Sequence, residues 1–156
     1  MNSTLEIKQL ADARLEDAKI LLVNSRYEGA FYLAGYAIEL TLKAKICTHL
    51  DIDDLFSDNP TTHSKSSLGK FRESVMTHDL FILLNLCGLG QKFEKEKLSN
   101  VYFNQNCSLL FQSPTATIWS EKVRYKQGYI TQKNVVKITN FLTEPIKGLL
   151  QWIESN

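Results

Sequence analysis

Eleven consecutive residues, Ala30-Phe31-Tyr32-Leu33-Ala34-Gly35-Tyr36-Ala37-Ile38-Glu39-Leu40, place apolar side chains nearly all the way round a helix. A helix on a protein surface needs an apolar stripe on one face only, so one that is apolar all round has to be buried. The stretch from about Glu28 to Leu50 is therefore expected to be the central helix of the fold. Its small residues Ala30, Ala34, Gly35 and Ala37 let a neighbouring backbone approach closely. Tyr32 and Tyr36 share a face, and Glu39 stands four residues before Lys43, the favourable order for an ion pair. A carboxylate in so apolar a setting is read in two ways: a structural partner of Lys43 or Arg14, or a functional group.

The rest of the chain supplies packing partners for that helix. Ser3-Thr4-Leu5-Glu6 is a capping box, leading into Ile7, Leu10, Ala11, Leu15, Ala18, Leu21 and Leu22 at three- and four-residue steps. Residues 51–70, rich in Asp, Ser and Thr, read as an exposed loop. A third helix covers Phe81–Leu86. A fourth runs from Gln91 to about Phe111, with Phe93, Leu98, Val101, Tyr102 and Leu109 inward. Trp119–Tyr125 forms a short amphipathic piece. The last helix starts at Thr131 and carries Val135, Ile138, Phe141, Leu142, Ile146, Leu149, Leu150 and Ile153, with a kink at Pro145. Three Pro and seven Gly in 156 residues suit long helices. These readings predict one domain over residues 1–156, an all-α, up-and-down bundle of about five helices.

Charge excludes some partners. Eighteen Lys and Arg against seventeen Asp and Glu leave +1, so no global field draws the chain to nucleic acid or membrane, and any such contact needs a local patch. No apolar run approaches the ~20 residues that cross a bilayer, and no membrane partner is expected. Three separated cysteines, Cys47, Cys87 and Cys107, suit a reducing compartment, and the expected location is cytoplasmic. Nothing near Cys47 in sequence would lower its pKa, so it reads as a packing residue and not a nucleophile. Cys47, His49, His63 and Cys107 match no standard zinc spacing. The four Asp between residues 51 and 58 lack the glycine and alternation of a calcium loop. No metal and no cofactor are expected.

Two constellations could carry chemistry. Arg72-x5-His78 offers a phosphate-binding guanidinium and an imidazole for acid–base work. Trp119-x4-Arg124-Tyr125 offers a cation between aromatics that could stack a base and hold a phosphate. Each has a structural alternative: His78 as the cap of the third helix, and Trp119 and Tyr125 as packing residues with Arg124 paired to Glu39 or Glu121.

The block Tyr27-x2-Ala30-Phe31-Tyr32-Leu33-Ala34-Gly35-Tyr36-Ala37-Ile38-Glu39-Leu40-x-Leu42-Lys43-Ala44 resembles the HEPN family, small helical domains of prokaryotic nucleotidyltransferase partners and ribonucleases. Thr77-His78-Asp79-Leu80-x2-Leu83-Leu84 and Trp119-x4-Arg124-Tyr125 come in the family's order, and the resemblance spans about Ala11 to Tyr125. It implies a homodimeric helical bundle with paired sites near a cleft between protomers. In ribonuclease members an Arg-x4–6-His motif steadies the scissile phosphate and deprotonates the ribose hydroxyl without a metal. Arg124 best matches that arginine, but Gly128, Tyr129, Ile130 and Thr131 occupy the histidine's range. Arg72 and His78 have the spacing but lie before the third helix. The resemblance thus implies a non-catalytic HEPN-like domain that binds RNA or a nucleotide, or partners a nucleotidyltransferase, in a toxin–antitoxin or defence system. Trp119, Arg124, Tyr125 and Tyr129 are its expected binding residues. The alternatives are a metal-independent endoribonuclease using Arg124 or the Arg72–His78 pair, and a dimeric interaction scaffold.

Overall fold

The computed structural model describes residues 3–61, 68–112, 116–117 and 119–156. Its architecture is all-α, with eight helices among the described residues rather than about five. These are α1 (Thr4–Val23), α2 (Tyr27–Leu50), α3 (Gly69–Val75), α4 (Leu80–Leu86), α5 (Gly90–Ser99), α6 (Val101–Cys107), α7 (Gln132–Thr143) and α8 (Leu149–Ser155). A two-residue antiparallel pair, β1 (Phe111–Gln112) with β2 (Ala116–Thr117), and a 3-10 turn over Glu121–Tyr125 lie between α6 and α7.

The α1–α2 hairpin is the frame. Ser3 caps α1, its hydroxyl accepting from the Glu6 amide at 3.3 Å. Ile7, Ala11, Leu15 and Ala18 then face α2 from four successive turns. Ser25 closes the hairpin in the left-handed region at φ 61°. As its composition requires, α2 is the most deeply buried element, contacting α1, α4, α7, α8 and the 3-10 turn. At Gly35 the approach is so close that a Cβ there would overlap the Trp119 indole. A larger residue could not share this space with the ring.

The larger helix count has local causes. The expected fourth helix is cut at Asn100, whose extended backbone ends α5 while its side chain accepts from the Phe103 amide at 3.0 Å and starts α6. The interruption resets the helical phase, so Phe103 and Cys107 turn inward while Leu98, Val101 and Tyr102, expected inward, are exposed. Pro145 stops its helix instead of kinking it. The residue before a proline is pushed out of the helical region, and Glu144 sits at ψ 122°. The Glu144 carboxylate accepts from the amides of Ile146 and Lys147. The chain restarts at α8 after Gly148, where a Cβ would meet the Glu144 carbonyl. Ile146 falls in this gap and is exposed.

The described residues of the 51–70 stretch are also less open than their composition suggests. Leu55, Phe56 and Ser57 are buried, Gly69 and Lys70 begin α3, and Asp53 accepts from the Thr4 amide at 2.8 Å, tying the loop to the start of α1. Polar composition pointed to the exposed residues but hid the Leu55-Phe56 anchor between them.

Candidate functional site: a strip along the second helix

Helical spacing puts Tyr32, Tyr36, Glu39 and Lys43 in one row on α2, because residues three and four apart lie one above the other. The row begins half-buried and ends buried. Tyr32 and Tyr36 stack with centroids 6.3 Å apart and planes 17° from parallel, and Tyr32 stacks in turn on Trp119 at 6.5 Å and 21°. Trp119 itself is 1% exposed, and its indole N–H donates to the Tyr32 carbonyl at 3.0 Å. It is therefore a wall behind the strip and offers no face to a ligand, a correction to its expected place as a binding residue.

Arg124 and Tyr125, on the 3-10 turn, border the Tyr32 end. Both are exposed, with the Arg124 guanidinium 4.9 Å from the Tyr125 ring centroid. Interaction with the Tyr32 side chain first, and with Tyr125 second, raises the Arg124 pKa above the ordinary guanidinium value. The structure thus gathers Arg124, Tyr125 and Tyr32 as a cation with two aromatic neighbours. The pairing of Arg124 with Glu39 or Glu121 is not formed among the described ion pairs. Tyr129 belongs to an adjoining cluster. Its ring packs on Phe31 at 5.9 Å, its hydroxyl donates to the Glu28 carbonyl at 3.4 Å, and burial, helped by Glu28, pushes its pKa up to about 12.

At the other end of the row Glu39 is 1% exposed. One carboxylate oxygen accepts from Lys43 Nζ at 2.6 Å, and both lie 3.0 Å from Nδ1 of His78. Lys43 is buried as well and sits over the Phe56 ring at 5.4 Å. An ionised carboxylate only accepts, so His78 presents an N–H at Nδ1 and keeps Nε2 for other partners. The His78 side chain is 52% exposed. The i,i+4 spacing already pairs Glu39 with Lys43, as observed, but nothing in the sequence joins His78 to that pair. His78 does not cap the next helix: Asp79 does, accepting from Phe81 and Ile82 at 2.9 and 3.2 Å. The only signal for the missing contact is an acid on an apolar helix with more hydrogen-bonding capacity than one lysine fills.

Arg14 of α1 flanks the strip beside Tyr36. The Tyr36 pKa is raised, by burial first, then by Glu39 and Tyr32, while Arg14 opposes the shift. Arg14 pairs with Asp17 at 3.4 Å, and its Nε is buried with no hydrogen-bond partner among the described residues. Arg72, the other half of the candidate catalytic pair, is engaged elsewhere. Its Nε donates to the Leu55 carbonyl at 2.9 Å and its Nη2 to the Ser57 carbonyl, clamping the loop onto α3. The structure therefore gives Arg72 and His78 separate partners.

Comparison with protein families, curated proteins and solved structures yields nothing: no family model, curated protein or solved structure matches the chain. Among the described residues, no group of three or more His, Cys, Asp or Glu side chains could hold a metal ion, and no helix is long and apolar enough to cross a membrane. His63 lies outside the described residues. Cys47 is buried, which pushes its thiol up to about 11 and leaves it protonated at neutral pH. A cavity of about 350 Å³ between α1, α2 and α8, lined by Lys8, Asp12, Thr41, Lys45 and Glu154 among others, includes none of the candidate catalytic or binding residues.

Proposed function

We propose that this chain is a non-catalytic HEPN-like domain that binds RNA or a nucleotide on the strip running from Arg124 and Tyr125 over Tyr32 and Tyr36. One observation carries the reading: an exposed guanidinium stands over an exposed tyrosine ring beside a stacked tyrosine pair. Single strands are held without sequence preference by this combination of a cation for phosphate and aromatic faces for bases, each stacked base contributing about 1–3 kcal/mol. The near-neutral net charge fits a local patch better than a basic surface spread over the molecule. The HEPN resemblance of the α2 block supports the same reading and carries with it the homodimer and a nucleotidyltransferase partner.

Fluorescence anisotropy with a labelled single-stranded RNA in EDTA tests the proposal. Arg124→Ala is expected to weaken binding about tenfold or more, a loss of at least ~1.4 kcal/mol, and to flatten the salt dependence. Wild-type affinity surviving in Arg124→Ala would remove the assignment.

A second reading, a metal-independent endoribonuclease, draws on the Glu39–His78 contact, since a buried carboxylate that fixes one imidazole nitrogen leaves the other for proton transfer. Arg72 has no part in it, because its guanidinium is committed to loop carbonyls. Cleavage in EDTA giving 2′,3′-cyclic phosphate ends, lost in His78→Ala, would favour this reading over binding alone.

A further inference from the structure

The strip has a second polar end. Tyr32 and Glu39 are seven residues apart on α2, about 10 Å at ~1.5 Å of rise per residue. Arg124 meets the row at Tyr32, and His78 meets it at Glu39. Between them lies the stacked Tyr32–Tyr36 pair. From the geometry we infer that His78 is the second phosphate-binding group of the strip, so that one stretch of single-stranded RNA has a backbone phosphate at Arg124, its bases against the tyrosines, and a further phosphate at His78. This inference rests on the binding reading above and gives it a length and a pH dependence.

The groups around His78 set the sign. Glu39 occupies Nδ1, and Lys43 balances the Glu39 charge from the same helix. Arg14 of α1 adds positive charge near Tyr36, and Asp79, the neighbour of His78, has its Oδ1 turned to the amides of Phe81 and Ile82. With Lys43 and Glu39 cancelling, and Arg14 paired with Asp17, the charge offered to a phosphate at this end is that of the imidazole. Only the protonated ring carries that charge. In the neutral form the Nδ1 proton faces Glu39 and Nε2 is an acceptor, which repels a phosphate oxygen. In the protonated form Nε2–H donates to it. The strip therefore gains a phosphate contact as pH falls, and Glu39 is the positioning residue that aims the ring.

The test is binding of a fluorescein-labelled octa-adenylate RNA at pH 6.0 and pH 8.0, each across a salt series, with wild type, Arg124→Ala, His78→Gln and His78→Lys. Wild type is expected to bind several-fold tighter at pH 6.0, with a log–log salt slope steeper by about 0.7, the increment for one added phosphate contact on a single strand. His78→Gln keeps an amide that can reach Glu39 and should bind at both pH values as wild type does at pH 8.0. His78→Lys, charged throughout, should bind tightly at both. Circular dichroism at each pH separates loss of fold from loss of contact. Arg124-dependent binding that ignores both pH and His78 overturns this inference and leaves the binding reading standing. Absence of RNA binding at either pH overturns both.

Discussion

Glu39 illustrates how one residue's environment decides its worth. A buried carboxylate survives only when its charge is answered, and here Lys43 and His78 answer it from two directions. Removing one partner of such a pair strands the other charge in the interior at about 3–5 kcal/mol, whereas replacing both with apolar groups can be neutral. Glu39→Ala is accordingly expected to destabilise the fold by that amount, with Lys43 left uncompensated. The double variant Glu39→Ala/Lys43→Met should recover most of the loss. Urea unfolding of the two variants and wild type checks this, and equal destabilisation in both would show that the pair's charges are not what the site depends on. The bare sequence reveals that Glu39 needs a partner and that Lys43 can serve. It does not reveal His78, because a contact across 39 residues depends on how the 51–79 segment folds back, and no local spacing encodes that.

At the scale of elements, helix existence was legible and helix continuity was not. The all-round apolarity of α2 and the four-turn stripe of α1 come from periodicities that the packing obeys. Asn100 and Pro145 carried the signals for the two missed breaks. Asparagine favours N-caps but also occurs within helices, and at residue 100 the extended backbone makes it a cap. A lone proline is compatible with either a kink or a stop; at residue 145 the Glu144 carboxylate, free to cap the next amides, favours the stop. The breaks matter because each rotates the apolar phase of the helix beyond it. Asn100→Ala removes the cap on Phe103 and the 2.8 Å bond from its amide to Glu96. The expected cost is about 1 kcal/mol, or roughly 2–4 °C in Tm for a chain of this size, measured by thermal unfolding. An unchanged Tm would mean that α5 and α6 are fixed by their aromatic contacts alone. Those contacts are substantial: Phe93, Phe103, Phe111 and Trp152 meet with centroids 5.0–5.8 Å apart.

For the molecule as a whole, the three cysteines report on integrity. Cys47, Cys87 and Cys107 are free and buried, and burial raises all three thiol pKa values above the ordinary 9.0, Cys47 to about 11. A folded pKa above the unfolded one means the protonated thiol is favoured by the fold. The contribution is complete below pH ~9 and is lost as pH climbs toward and past 11. Stability is therefore expected to fall between pH 9 and pH 11, over and above any effect of lysine titration, and Cys47→Ala should soften that decline. At pH 8, thiol alkylation should proceed only through opening of the structure, so that mild urea accelerates labelling at all three positions together. Rapid labelling of Cys47 in the native protein would show a local opening near the end of α2.

The burial of Trp119 gives the protein an optical voice of its own. Its indole is sealed beneath Tyr32, donates to a helix carbonyl, and touches the strip on which RNA is expected to lie. Emission from such a ring should be blue-shifted against that of the half-buried Trp152. A base lying on Tyr32 would press on the ring stacked against Trp119 and so change the indole's surroundings. Titrating unlabelled ligand against intrinsic fluorescence thus listens to the strip directly, through a tryptophan that the sequence casts as part of its surface and the fold uses as its backing.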